Sequence, residues 1–207
     1  MSRHERHRPP RGTHASRLLI ASTAARLMAE DGIRHPILAK QKAARQLGLP
    51  ESAMLPDNAE VEAELRLYQA LYQRDAQPEA LYRLRLEACK IMEILLDFHP
   101  CLIGRALDGT ADAFSAIDLM LFADSAKEVE IFLLNRGIAF EHTEIRGACR
   151  DKAEAALRLF TPAAEAHLLI FPSHCERRHF KRGDGRPCER MRREALLKLL
   201  QTPCDGK

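Results

Sequence analysis

The spacing of hydrophobic residues predicts helices throughout the first hundred residues. Apolar positions recur every three or four residues in Ser16–Asp31, in Ile37–Leu47 and from about Ala59 to Gln73. A longer stripe with the same period covers Pro78–Phe98. Glycine or proline lies close to the ends of most of these segments, as is typical of helix termini. We therefore predict a helical region over residues 18–99.

Beyond residue 100 the pattern changes to short apolar runs. The predicted strands are Leu102–Leu107, Ile117–Phe122, Ile138–Ile145, Ala155–Phe160 and His167–Phe171. Helices are predicted at Ser125–Arg136 and at Cys188–Leu200, and Asp151–Leu159 is compatible with a helix instead of a strand. This order predicts an α+β fold, in which helices cover one face of a mixed sheet.

The charge of the chain is small in total but unevenly distributed. The net charge of +3 arises from 32 Lys and Arg residues against 29 Asp and Glu residues. Residues 1–17 contain five arginines against one glutamate, and residues 176–198 contain nine Lys or Arg residues against four acids. Segments of this kind are solvated tails or bind phosphate, nucleotide or nucleic acid. We divide the chain into a disordered basic tail (1–17), the helical region, an α+β domain (100–200) and a short tail (201–207).

The cysteines and the apolar runs predict the cellular compartment of the protein. The six cysteines are scattered without a C-x-x-C pair, and the first residues lack the apolar stretch of a secretory signal. No apolar run approaches the roughly 20 residues that span a bilayer. We therefore expect mostly reduced thiols, a cytoplasmic location and no membrane partner. The set His174, Cys175, His179 and Cys188 has a spacing that fits no common zinc finger.

The most specific pattern lies between the first two predicted strands. Gly104 and Gly109 are five residues apart, Ser115 follows six residues later, and Asp118 comes at the start of the second strand. This pattern resembles the signature of the nucleotidyltransferase (polymerase-beta-like) superfamily. In that family a strand ends in Gly-Ser, a short helical turn contains Gly-Thr, and the next strand carries Ser-Asp-x-Asp-Leu. The resemblance covers about residues 98–172.

The resemblance implies a nucleoside triphosphate or another phosphate ligand. Small residues let the backbone of the turn approach a phosphate, and carboxylates at alternate positions of a strand bind Mg²⁺. Asp118 is then the catalytic and metal-binding residue, and Mg²⁺ is the implied cofactor. The implied nucleotide- and phosphate-binding residues are Gly104, Arg105, Gly109, Thr110 and Ser115.

Two positions depart from the family pattern. Arg105 replaces the phosphate-binding Ser, and Ala116 replaces the first metal-binding Asp. A third acidic residue on a later strand has Glu141 and Glu144 as candidates, and Asp112 could supply a further carboxylate. One carboxylate is a poor platform for two divalent ions. We therefore expect a protein that binds nucleotide or phosphate, with nucleotidyl transfer weakened or lost, and the sequence leaves its status as an enzyme open.

A second function is also compatible with the sequence. The first two predicted helices are similar to the first part of a TetR-type helix-turn-helix, in which Lys40, Lys42 and Arg45 would contact DNA. The ten residues that follow contain two prolines, which favours a plain helical bundle. The alternative is therefore a cytoplasmic regulatory or DNA-binding protein without enzymatic activity, which uses the helical region and the basic flanks.

Overall fold

The chain folds into two compact units, Met1–Arg74 and Asp75–Lys207. The computed structural model describes residues 11–50, 54–74, 76–145, 149, 152–182 and 185–201. The change of pattern at residue 100 predicted a boundary there, whereas α4 (Ala76–Ile94) belongs to the second unit. The buried residues of α4 join the core beneath the sheet, so the long stripe is a sheet-packing face.

The first unit contains α1 (Arg11–Glu30), α2 (Pro36–Gln46) and α3 (Asn58–Tyr72). These helices share one core, which consists mainly of alanines from α1 and α2 and larger residues from α1 and α3. Alanine has the highest helix propensity of all residues, and its small side chain lets neighbouring helices approach closely. The prediction of a disordered tail is wrong over residues 11–17, which lie in α1. Residues 1–10 and 202–207 lie outside the described residues.

The connection between α2 and α3 is fixed by a buried lysine and a capping box. Lys40 Nζ donates hydrogen bonds to the Pro56 carbonyl at 3.0 Å and to Asn58 Oδ1 at 2.9 Å. Asp57 Oδ1 accepts from the Glu60 N–H at 2.8 Å, and Glu60 Oε2 accepts from the Asp57 N–H at 2.6 Å. These bonds satisfy backbone groups that would otherwise be unpaired where α3 begins.

The burial of Lys40 corrects its predicted role as a DNA contact. Lys40 is 8% exposed, and its ammonium group is occupied within the first unit. A helix-turn-helix joins its two helices by three or four residues, whereas residues 47–57 separate α2 from α3. Lys42 pairs with Asp31 at 2.8 Å, and Arg45 is exposed. DNA contact through these two residues stays a prediction.

The second unit is an α+β fold, as predicted. Its further elements are β1 (Cys101–Ile103), α5 (Gly104–Asp108), β2 (Ile117–Ala123), α6 (Ala126–Asn135), β3 (Phe140–Thr143), β4 (Ala155–Phe160), β5 (Glu165–Pro172), β6 (Met191–Arg192) and α7 (Arg193–Gln201). The strands form one sheet in the order β3-β4-β5-β2-β1-β6. The pairing of β2 with β5 is parallel, and the other pairings are antiparallel.

Three predicted elements differ from the structure. The first strand ends at Ile103 instead of Leu107, because Gly104 adopts a φ of +70° and begins α5. The alternative helix over Asp151–Leu159 is wrong, since β4 pairs with a strand on each side. The last helix begins at Arg193, and the two residues before it form β6, which hydrophobic periodicity did not reveal.

The two faces of the sheet are covered differently. Helices α4, α6 and α7 pack on one face, as the sequence analysis predicted, and their buried residues join those of the strands in one large core. The other face carries a second apolar cluster, which contains Ile103, Met120, Phe122, Leu169, Phe171 and Phe180. Irregular segments cover this cluster. We call one of them, residues 173–182 and 185–190, the strap.

A disulfide links the strap to the connection between β3 and β4. Cys149 and Cys188 are bonded, with their Cα atoms 5.8 Å apart. Cys89, Cys101 and Cys175 are free and buried, so the expectation of reduced thiols is wrong for the bonded pair. Among the described residues no set of His, Cys, Asp and Glu side chains could hold a metal ion, including the set around His174. No helix in the described parts of the chain is long and apolar enough to cross a bilayer.

Both apolar clusters of the sheet lie in the second unit, so the division of the chain at Arg74 can be tested by producing this unit alone. We expect residues 75–207, produced alone, to unfold cooperatively in urea, because the core that buries most of their apolar surface is complete. Circular dichroism and near-ultraviolet signals should then change together. Separate transitions for the two signals, or strong binding of a hydrophobic dye before unfolding, would contradict the division at Arg74.

Candidate functional site

A row of polar side chains crosses the sheet at one register. Strand pairing aligns Asp118 of β2 with His167 of β5, His167 with Arg158 of β4, and Arg158 with Glu141 of β3. Side chains alternate between the two faces of a strand, so Asp118 lies on the same face as Met120, which belongs to the cluster beneath the strap. The row is half-buried or exposed, and it therefore occupies the uncovered part of this face.

His167 lies between two carboxylates. Its Nδ1 is 3.1 Å from Asp118 Oδ1, and its Nε2 is 2.9 Å from Glu165 Oε1. The hydrogen bond to Asp118 raises the pKa of His167 above its ordinary value, although burial opposes part of this effect. The protonated imidazole can donate to both neighbours, so both ring nitrogens are occupied by carboxylates.

Arg158 continues the row towards the edge of the sheet. Its guanidinium contacts Glu141 at 2.5 Å and Glu165 at 3.7 Å, and it lies over the ring of Phe160, 5.0 Å from the ring centre. Glu141, a candidate for the third acid, is thus held by Arg158. Arg158 lies two strands away from Asp118, and Glu141 lies on the strand beyond it. Glu144 follows the end of β3 and is not aligned with the row.

The residue beside Asp118 on the next strand is His167, which the sequence analysis did not select. Glu165 and His167 are polar residues at alternate positions of a strand that is otherwise mostly apolar. That alternation is visible in the sequence and marks one face of β5 as partly polar. Its proximity to Asp118 depends on the parallel pairing of two strands 49 residues apart, which no local pattern reveals.

Gly104 and Asp118, two of the predicted site residues, lie against each other. A Cβ atom at Gly104 would be 2.7 Å from Asp118 Oδ2, and the backbone of Gly104 adopts a φ of +70°. The positive φ would strain any other residue at this position, and its Cβ atom would also have to displace the Asp118 carboxylate. The start of α5 therefore approaches Asp118 as closely as the backbone permits.

Arg105, Thr110 and Ser115 surround the buried carboxylate of Asp112. Arg105 Nη2 donates to Asp112 Oδ2 and to the Thr110 carbonyl, both at 2.8 Å. Ser115 Oγ donates to Asp112 Oδ1 at 2.9 Å, and the Phe114 N–H donates to the same oxygen at 3.0 Å. Asp112 is 4% exposed, so its carboxylate serves the turn and is not directed at Asp118 as a further metal ligand.

The backbone of the same turn is also occupied. The N–H groups of Gly109, Thr110 and Ala111 bond to the Arg105 carbonyl and close the end of α5. Gln77 Nε2 donates to the carbonyls of Gly109 and Ala111, at 3.0 and 2.8 Å. Phosphate contact by Arg105, Gly109, Thr110 and Ser115 stays a prediction, and these internal bonds would compete with it.

The strap is anchored to the far end of α5. Arg182 Nη2 donates to both carboxylate oxygens of Asp108, at 2.9 and 2.8 Å. Both side chains are about nine-tenths buried, which makes this pair less screened than a surface ion pair. The strap and the row of polar side chains both belong to the face of the sheet that carries the second apolar cluster.

The residues beside Asp118 do not fit the magnesium site that the resemblance implies. Mg²⁺ takes oxygen ligands in octahedral geometry, and two ions require several carboxylates. Ala116 contributes none, His167 has both nitrogens occupied, and the described residues contain no metal-holding group of three. Asp118 remains as the single carboxylate aligned with the start of α5.

The misfit predicts that carboxylates at two positions would create a metal site. The double variant Ala116→Asp/His167→Asp adds two carboxylates close to Asp118, because residue 116 lies two positions before it in the chain and residue 167 is aligned with it. We expect this variant to bind Mn²⁺ by calorimetry, and the unaltered chain to give no binding heat. The control Leu38→Asp/Leu86→Asp adds two carboxylates at separate exposed helix positions. If the unaltered chain binds Mn²⁺ as tightly as the double variant, and Asp118→Asn abolishes that binding, the conclusion that these residues do not fit a metal site is wrong.

The charged hydrogen bonds of His167 predict a pH-dependent stability. The pKa of His167 is higher in the fold than its ordinary value of about 6.5. Its contribution to the free energy of unfolding is therefore complete below about pH 6.5 and is lost as the pH rises through the folded pKa. We expect His167→Gln to lower the free energy of unfolding by about 1 kcal/mol at pH 5.5 and by less at pH 9. Urea unfolding at both values measures the difference. The exposed control His174→Gln should have a small effect at both, and a His167 effect independent of pH would refute this assignment.

Comparison with known proteins provides no family for the chain. No protein-family model matches it, and no curated protein is significantly similar to it. The resemblance of the Gly104–Asp118 segment to nucleotidyltransferases and the geometry around Asp118 are therefore the grounds for a functional proposal.

Proposed function

We propose that the second unit binds a nucleotide or another phosphate ligand on the uncovered part of its sheet. In this proposal the unit keeps the scaffold of a nucleotidyltransferase and has lost two-metal nucleotidyl transfer. Binding would not require a divalent cation to neutralise the carboxylates of this face, because His167 and Arg158 already compensate them. A cytoplasmic location stays a prediction.

The observation that carries the proposal is the contact between Gly104 and Asp118. Gly104 begins a short helix directly after β1, and Asp118 faces it from β2. The resemblance implies that this junction is where a phosphate approaches the backbone. A glycine whose positive φ would strain any other residue, against a half-buried carboxylate, favours a ligand site over a purely structural turn.

The loss of catalysis is proposed from the neighbours of Asp118. Two-metal transfer needs carboxylates that hold both ions close to the attacking and leaving oxygens. Here Ala116, two residues before Asp118, carries no carboxylate, and His167, which is aligned with Asp118, is itself hydrogen-bonded to it. Asp118 can accept a hydrogen bond from a ligand, and His167 holds its carboxylate in place.

A thermal-shift experiment tests the proposal with ATP, CTP, GTP and UTP as probes. A ligand at ten times its Kd stabilises a protein by about 1.4 kcal/mol, which raises Tm by about 4 °C for a unit of this size. We expect such a shift with at least one nucleotide, of equal size with Mg²⁺ and with EDTA. Asp118→Asn and Gly104→Ala should each abolish it.

The matched control is Asp124→Asn, an exposed acid just after the other end of β2. This variant should keep the full shift. The proposal fails if no nucleotide raises Tm, or if Asp118→Asn and Asp124→Asn give the same shift. A shift that requires Mg²⁺ and accompanies release of pyrophosphate would show that transfer has been retained.

A further inference from the structure

We propose that the strap binds the phosphate backbone of a nucleic acid. The proposal concerns a surface distinct from the Gly104–Asp118 junction, and it does not depend on nucleotide binding there. It is carried by the exposed positive charge of the strap, by the fixed backbone that presents this charge, and by the lack of exposed Phe, Tyr or Trp among its described residues.

The positive charge is concentrated on three exposed side chains. Arg177, Arg178 and Lys181 are exposed and form no ion pair with a described residue. Of the two acids among the described residues of the strap, Glu189 is exposed and Glu176 is held by Arg192, whose hydrogen bond lowers the pKa of Glu176. The three cations are therefore available to a ligand, unlike Arg182, which Asp108 holds.

The backbone that presents these cations is held at several points. Phe180 is buried against Phe171, with ring centres 4.9 Å apart, and it belongs to the apolar cluster of the sheet. Arg182 is fixed to Asp108, and Cys188 is bonded to Cys149. Lys181 and Pro187 form an isolated β-bridge, and the Cys188 N–H donates to the Phe180 carbonyl at 2.8 Å. Prior fixation of a binding segment reduces the entropy lost when a ligand binds.

The chemistry of the strap favours phosphodiesters. Arginine donates paired hydrogen bonds to phosphate oxygens, and lysine adds a point charge. Single-strand binding proteins usually add aromatic residues on which bases stack, but Phe180 is buried. We therefore infer contact with the backbone alone, without dependence on base sequence.

Fluorescence anisotropy with a labelled 20-base-pair DNA duplex tests the inference on the full chain. Three phosphate contacts release about three counterions, so log K should fall against log salt with a slope of about −2.7 between 50 and 200 mM NaCl. The variant Arg177→Ala/Arg178→Ala/Lys181→Ala should bind at least about tenfold more weakly at 50 mM, with a nearly flat slope. A duplex of different sequence should bind with the same affinity.

The control Arg83→Ala/Lys90→Ala/Lys127→Ala removes the same charge from exposed helix positions of the second unit. We expect its affinity to stay within about twofold of the unaltered chain. Equal binding and equal salt slope for the two triple variants would overturn the inference, as would the absence of duplex binding at 50 mM. Binding to phosphatidylserine vesicles that is lost in the strap variant, while duplex binding is unchanged, would overturn it in favour of a membrane surface. The nucleotide thermal shift, measured on the same variants, should be unaffected.

Discussion

Parallel pairing of β2 with β5 determines how the rest of the second unit is arranged. It runs from Ile117 against Ala166 to Ala123 against Pro172, through strands that are almost wholly buried. Because side chains alternate along both strands, this register sends one set of residues to the helices and the other to the strap. A slip of one strand by one residue would turn its charged side chain, Asp118 of β2 or His167 of β5, into the apolar core, which the cost of burying charge disfavours.

The charges on the uncovered face compensate one another along the sheet. Acidic and basic residues alternate from Asp118 through His167 and Glu165 to Arg158, so each carboxylate has a cationic neighbour. In a metal site the bound cation neutralises clustered carboxylates. On this face, basic side chains of neighbouring strands neutralise them instead. The same principle operates around Asp112, where Arg105 neutralises a buried carboxylate. Electrostatic compensation within the chain is thus the common property of the candidate site.

Local sequence patterns predicted most helices and strands. The features that they did not predict depend on contacts between residues far apart in the chain. The helices and most strands follow from periodicity, and the resemblance to nucleotidyltransferases selected Gly104 and Asp118, which lie against each other. His167 was missed because its position beside Asp118 depends on strand register across 49 residues. Lys40 was misread because its burial depends on Asn58, a residue of another helix. The disulfide was not predicted for the same reason, because Cys149 and Cys188 are 39 residues apart in the sequence.

The ends of the sheet have a consequence for the association of copies of this chain. An edge strand with unpaired backbone groups is a template for pairing with another molecule, and proteins limit this by keeping edges short or charged. One edge, β6, is two residues long and leads directly into α7. The other edge, β3, is four residues long and exposes Glu141 and His142. Sheet extension and the fibrillar aggregation that follows from it are therefore disfavoured at both ends.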